Sequence, residues 1–546
     1  MTALLRRVVI FAGVLAATAA PARAIEEPSD EPPRFTSPRA SLLGDVLHLT
    51  LAGYFRVRGD LWNDLDLSRG PTPSTGQPVF PVPAAGGTDH TLVAGDMRLR
   101  LEPTLTVSQA VRIHLRVDVL DDVGFGSTPD VLPSGSGFSG GAQVAAPPES
   151  GVNALHDAVQ VKQVWGEIVL PIGVLAAGRM GAIVNWGTGF VINNGNCIGC
   201  DHGDTGDRIT FATPILGHTV AVAYELSASG PYVNLDGQNV DLDARAHVNT
   251  WALMVARYDS PATQHRLVRA GRTLVQYGLL ASYRIQDLDA PAWTQPGGLT
   301  RSYQSSSFVR RGLSSFAGDL WLLVHRGGFR AELEAAVLVG QVDNATNDPG
   351  VTLTAPVTLR QWGGVASLAY GFARLPLRAR CEIGVASGDD APGFGVRLPP
   401  GQLATQKGDL DGPQARVPTD TTINNFRFSP DYHVDLILWR RIIGQISDAI
   451  YVRPSILLGP FGSLKSNITF ELAAIDSHAM FATTPPGQDT NLGVELDLQA
   501  RWHIEPKFDV DVGYGAFFPG AGFRNLALHL EPKPAQTLEI ILAYHL

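Results

Sequence analysis

Along much of this chain apolar and polar side chains alternate one by one. In residues 46–62, Leu47, Leu49, Leu51, Gly53, Phe55 and Val57 fall on one face, and His48, Thr50, Ala52, Tyr54, Arg56 and Arg58 on the other. Residues 96–107 repeat this, with Met97, Leu99, Leu101 and Leu105 opposite Arg98, Arg100, Glu102, Thr104 and Thr106. Residues 111–119 set Arg112, His114, Arg116 and Asp118 on the polar face. A period of two marks a strand whose faces meet different surroundings. It returns in residues 220–226, 275–285, 329–339 and 377–385. In residues 492–504 it puts Leu492, Val494, Leu496, Leu498 and Trp502 outside, with Asn491, Glu495, Asp497, Gln499 and Arg501 inside. Residues 159–169 leave the phase open: either it breaks at Gly166, or Trp165 belongs to an aromatic girdle. Sandwich strands average about five or six residues. Runs of a dozen, repeated to the C-terminus, predict an all-β fold: a single antiparallel transmembrane β-barrel.

Loop lengths predict the strand number. Long Gly-, Pro- and Asp-rich stretches fall near 63–91, 124–157, 183–206, 230–247, 288–310, 344–356, 388–447, 477–489 and 519–534. Short links fall near Ser108, Pro171, Leu216, Pro261, Gly327, Leu375, Pro460 and Pro506. Bacterial barrels alternate long outer loops with short periplasmic turns, so the expectation is about eighteen strands with both termini periplasmic. One segment breaks the period: Leu436, Trp439, Ile442, Ile443, Ile446 and Ile450 recur at three and four. That predicts a helix over 434–449, packed into the lumen or capping the outer mouth, with an extra strand as the alternative.

The first 24 residues read as a secretory signal: Arg6 and Arg7, an apolar run over 8–20, and Ala22-Arg23-Ala24 as the cleavage site. Removing them takes the formal charge from −10 to −13. Residues 25–45 read as a periplasmic lead-in, and 46–546 as the barrel. Leu538, Ile540, Leu542, Tyr544 and Leu546 share a face. They resemble the C-terminal signal that outer-membrane barrels present to the assembly machinery, with Leu where Phe is usual. The expected location is the bacterial outer membrane, with lipid and that machinery as partners.

Composition agrees. Charged residues make up 17% of the chain, against about 25% in soluble proteins. No later stretch reaches the roughly 18 apolar residues of a spanning helix. The negative charge excludes a nucleic-acid binder.

The phasing puts Arg56, Arg58, Arg98, Arg100, Arg112 and Arg116 on the lumen wall, offset in part by Asp60, Glu102 and Asp118. Late strands offer Glu495, Asp497, Asp509 and Asp511. Two readings stand: a basic arc that draws carboxylates or phosphates, or cross-strand pairs that hold the wall together. The loop before 206 carries Cys197 and Cys200. A local disulfide suits an oxidising compartment. Asp201, Asp204 and Asp207 are candidate Ca²⁺ ligands, and Cys197, Cys200 and His202 an incomplete Zn²⁺ set. Otherwise no cofactor is expected. Cys381 lies alone on an apolar face.

The run from Gly178-Arg179-Met180 through Trp186-Gly187-Thr188-Gly189 to the paired cysteines and Asp201-His202-Gly203-Asp204 resembles a family of myxobacterial outer-membrane proteins. Residues 382–390 and 493–497 resemble steps in alginate-export-type barrels. The resemblance implies a porin-like barrel and brings no substrate with it. Gly137-Phe138-Ser139-Gly140-Gly141 matches G-x-S-x-G in a loop without the strand-to-helix elbow that chemistry needs. His48, His114 and His503 face inward without a nucleophile beside them in sequence, so no enzyme is expected. The expected function is a channel for small anionic solutes or an acidic polymer; the alternative is a plugged structural or display barrel.

Overall fold

The computed structural model describes residues 47–546, apart from 85, 88, 126–156, 182–185, 292–307, 347–351, 353–354, 373, 398–404, 464–465 and 505–506. The signal segment, the lead-in and the Gly137–Gly141 motif lie outside the described residues.

Eighteen antiparallel strands form one closed barrel. They are β1 His48–Asn63, β2 Thr91–Thr106, β3 Val111–Gly124, β4 Val159–Leu170, β5 Gly173–Gly181, β6 Thr205–Ile215, β7 His218–Ala228, β8 Val248–Arg257, β9 Leu274–Asp289, β10 Val309–Arg326, β11 Phe329–Val342, β12 Val357–Gly371, β13 Leu377–Ala386, β14 Ala449–Ser463, β15 Ser466–Ala479, β16 Asn491–Ile504, β17 Phe508–Pro519 and β18 Ala535–His545. Each pairs with the next, and β18 returns to β1 in register from Tyr54↔His545 to Asn63↔Gln536. Closure leaves no sheet edge to lipid, which a spanning sheet requires. Leu49, Leu279, Leu320 and Leu496 point outward and are exposed, while their inward neighbours Arg98, Glu334 and Glu495 are buried.

Four local expectations change. Residues 434–449 are not one helix: a single wide helical turn, Leu438–Ile443, ends at Gly444, whose φ of +107° needs a residue without Cβ. Leu492 does not face lipid but is fully buried, because the register shifts at Ser477/His478 beside Gly493 (φ +121°). In β4 the phase breaks at Lys162, not Gly166: Gln163 pairs with Arg116 and Val161 with Val117, so Lys162 bulges. Trp165 then faces inward, its ring 4.5 Å from that of His114. Near Pro261 the link holds a helix, Pro261–Arg269, and Pro460 lies inside β14. A hairpin within 230–247, Tyr232–Leu235 with Gln238–Asp241, had no clear signal in the alternation.

Three long outer loops fold against the wall. Leu65 and Leu67, then Phe190, and then Phe394, Phe428, Leu436, Trp439 and Ile442 form one apolar core with Ala473, Ile475, Leu492 and Phe517 of the wall. Gly513 and Gly515 of β17 admit this core. A Cβ on Gly515 would lie 3.1 Å from Leu436.

Arg in place of the outward Leu279 should lower folding stability in lipid vesicles by about 2–4 kcal/mol. Arg in place of the inward Ser282 should lower it less. Urea titration reads both, and equal losses would contradict the face assignment.

Candidate functional site

The first three strands bring their arginines together through strict alternation across matched registers, with Arg56 opposite Arg98. Such a cluster needs counter-charges, and among the described residues the wall supplies Asp96, Asp118 and Asp121 close by. Asp96 accepts from Arg56 Nη2 and Arg58 Nε, both at 2.7 Å. Asp118 accepts twice from Arg100, at 2.7 and 2.8 Å. Asp121 takes Arg98 Nε, with Lys162 Nζ at 3.0 Å. Asp121 faces inward because Leu120 (φ +56°) breaks the alternation just before it.

The fourth counter-charge comes from the loop. Asp201 Oδ1 accepts from Arg56 Nη1 at 2.9 Å and Arg98 Nη2 at 2.8 Å, and its Oδ2 accepts from Arg58 Nη1 at 2.6 Å. Burial alone would raise the Asp201 carboxyl, but Arg58, Arg56 and Arg98 outweigh it and hold it well below the usual carboxylate range. The arginines also receive the loop's backbone. Arg56 donates to Ile198 O at 2.9 Å, Arg98 to Cys200 O at 2.7 Å, Arg100 to Gly195 O at 2.8 Å and Arg116 to Asn194 O at 3.2 Å. Arg116 also pairs with Glu102 (2.6 Å), and Arg112 with Glu167 (2.7 Å). The basic arc is therefore occupied.

Cys197 and Cys200 are disulfide-bonded, so neither offers a thiolate to a metal. The three loop aspartates part company. Asp201 meets the arginines, Asp204 accepts Asn193 N at 2.8 Å, and Asp207 pairs with Arg179 at 2.8 Å on the outward face. They are not among the described groups whose ligand atoms converge.

The acidic arc holds the other loop by the opposite chemistry. Glu495 accepts the backbone N–H groups of Leu436, Ile437 and Leu438 at 2.9, 2.8 and 3.0 Å. Asp497, two residues on, is buried on the same face. Asp435 accepts Trp439 N at 2.6 Å and Arg440 N at 3.2 Å. These are the orphan donors at the start of a helical turn. Arg440 reaches Glu539 at 2.9 Å, and Arg441 reaches Asp60 at 2.9 Å. On the far wall, Glu334 of β11 accepts Thr188 Oγ1 at 2.6 Å. The two inserted loops meet where Ser429 N donates to Phe190 O at 2.7 Å.

Further ion pairs run along the wall of β14–β17. Arg453–Glu471 and Arg501–Asp511 both lie at 2.9 Å. Asp509 joins His503 Nδ1 at 2.6 Å to His545 Nε2 at 2.8 Å. His114 bonds Thr104 at 3.1 Å, and His48 opens β1.

One stretch of wall differs. Along β7, β8 and β9 the inward Ala221, Ala223, Glu225, Ser227, Ala252, Ser282 and Arg284 are small or polar and keep surface open, while the inward Thr250, Ala256 and Gln276 are buried. Arg208, Glu225, Thr250 and Arg284 are directly opposite one another across β6–β9. Arg208 pairs with Glu225 at 2.7 Å, and Arg284 Nε donates to Thr250 Oγ1 at 3.0 Å. Among the described residues Arg284 has no carboxylate within 4.0 Å, unlike the arginines of the basic arc. Arg284 is marked in the sequence only by its alternation with the outward Tyr283 and Ile285.

No family model matches the chain, and no curated protein matches it. Among solved structures it is similar to OccK9 (OpdG) of Pseudomonas aeruginosa, at 11% identity over 91% of this chain and 98% of that one, with a TM-score of 0.44. It is similar to a BenF-like porin of Pseudomonas fluorescens Pf-5, at 9% identity over 91% and 98%, with a TM-score of 0.40. It is also similar to OmpT, an outer membrane protein of Vibrio cholerae, at 8% identity over 92% and 99%, with a TM-score of 0.36. The likeness is one of fold: a closed antiparallel barrel.

Glu495→Ala should leave three loop N–H groups without an acceptor. The expected loss is about 3 kcal/mol or more, with a smaller loss for Glu495→Gln, both read by urea titration. Asp448, fully buried just before β14, has its carboxyl pushed up to about 8 by burial. A raised carboxyl costs stability above its unfolded pKa of about 4, and the cost grows until pH reaches about 8. Asp448→Asn should therefore narrow the fall in melting temperature between pH 5 and pH 8.

Proposed function

We propose that the barrel is a channel whose passage follows the inner wall of β7–β9 and favours small anionic solutes or an acidic polymer. The observation that carries this reading is Arg284: inward, exposed, and without a carboxylate partner among the described residues. A fixed positive charge beside water raises the local concentration of anions. The small residues around it leave width for a solute. No reaction is assigned: His503 and His545 share Asp509 as a hydrogen-bond partner.

A second reading has its own support. The apolar core of Phe190, Phe428, Leu436 and Trp439 is packed as a protein interior is, and that favours a plugged barrel used for structure or display.

Single-channel conductance with reversal potentials in planar bilayers separates them. The refolded protein should give steps that prefer anions. Arg284→Glu should reverse that preference, and Arg284→Ala should lower it a few-fold at low salt, where screening is weak. A folded barrel without conductance would move the reading to the plugged form.

A further inference from the structure

Among the described counter-charges of the arginine cluster, Asp201 is the one that does not belong to the wall. Asp96, Asp118 and Asp121 are fixed on β2 and β3, and they face Arg56, Arg58, Arg98 and Arg100. The fourth charge is a loop side chain whose own strand, β6, begins only at Thr205. Three guanidinium groups close around its carboxylate within 2.9 Å. Arg56 and Arg98 have no exposed surface and Arg58 has 6%. The Asp201 side chain itself is 25% exposed.

We propose that Arg56, Arg58 and Arg98 form a carboxylate-binding site of the lumen wall, which Asp201 fills as a tethered occupant. A solute with two or more carboxylates competes for the site and lifts the loop 193–204 from the wall. The geometry suits the ligand class: guanidinium forks take carboxylate oxygens in pairs, and such charge-assisted bonds are the strong ones. The number of carboxylates follows from competition. A tethered group acts at an effective concentration of roughly millimolar or above, so one free carboxylate is a poor competitor. A polycarboxylate gains more, because lifting the loop also frees Arg100 and Arg116 from Gly195 O and Asn194 O. The loop is thus a latch closed by a mimic of the solute. Its role in transport rests on the channel reading; the site itself does not.

The test therefore reads binding rather than conductance. Asp201→Ala empties the site, and Asp201→Asn keeps its shape with one charge fewer. In detergent, both variants should melt lower than the parent. About 100 mM acetate should raise them by several degrees, by the ordinary linkage of binding to stability. Chloride at equal ionic strength should not, and the parent should show no acetate effect. Phosphate run in parallel separates a carboxylate site from a general anion site. In the parent, tricarballylate should speed proteinase K cleavage within 193–204 at least tenfold, since cleavage tracks the open population. Equal effects of acetate and chloride on both variants, or phosphate matching acetate, would overturn the site. Cleavage of the parent unchanged by tricarballylate would overturn the latch. A barrel that passes both tests yet never conducts would leave the site standing and remove the channel.

Discussion

An inserted loop must hand its backbone N–H and C=O groups to a partner, and here the partners are charges on the barrel wall. Eighteen strands enclose more room than the wall side chains fill, and irregular backbone inside that room is tolerated only when paired. The wall sorts the task by sign. Guanidinium groups can only donate, so β1–β3 hold a loop that offers carbonyls at 194, 195, 198 and 200. Carboxylates accept, so Glu495 takes a turn that offers N–H groups at 436, 437 and 438. The split into basic and acidic arcs thus follows from which end of the peptide group each loop presents.

That division of labour bears on how a solute is met. A charge already paired with the protein contributes little field beyond its partner. The most arginine-rich part of the wall is in that sense electrically quiet, whereas Arg284 has no carboxylate partner among the described residues. Counting arginines along a strand and asking what they do for the lumen are different questions.

The large features were legible because the fold imposes them on every residue. A strand between lipid and lumen must alternate, which marks the strands, and the interleaving of long loops with short turns carries their number. What escaped notice were the places where one extra residue resets the count. Leu120, Lys162 and Gly493 each mark a bulge or a shift, and a one-residue slip exchanges the two faces. Asp121 and Leu492 were misplaced or missed for that reason. The helix over 434–449 was over-read: its apolar spacing reflects packing around a buried turn, and Gly444 ends it early. The contacts that decide the basic arc were out of reach for another reason. Asp201 lies 145 residues from Arg56, and nothing local in either segment names the other.

Arg441 links the inserted loop to the order in which the barrel can be completed. Asp60 and Glu539 are register partners on the first and last strands, so they sit on opposite sides of the closing seam. The Arg441 guanidinium bonds both, at 2.9 and 3.1 Å. Until the seam closes, those two carboxylates are apart and the arginine can satisfy only one. Sealing the cylinder and seating its filling therefore stabilise each other. The inserted loop behaves less like a part added to a finished tube than like a rivet on which the tube is closed.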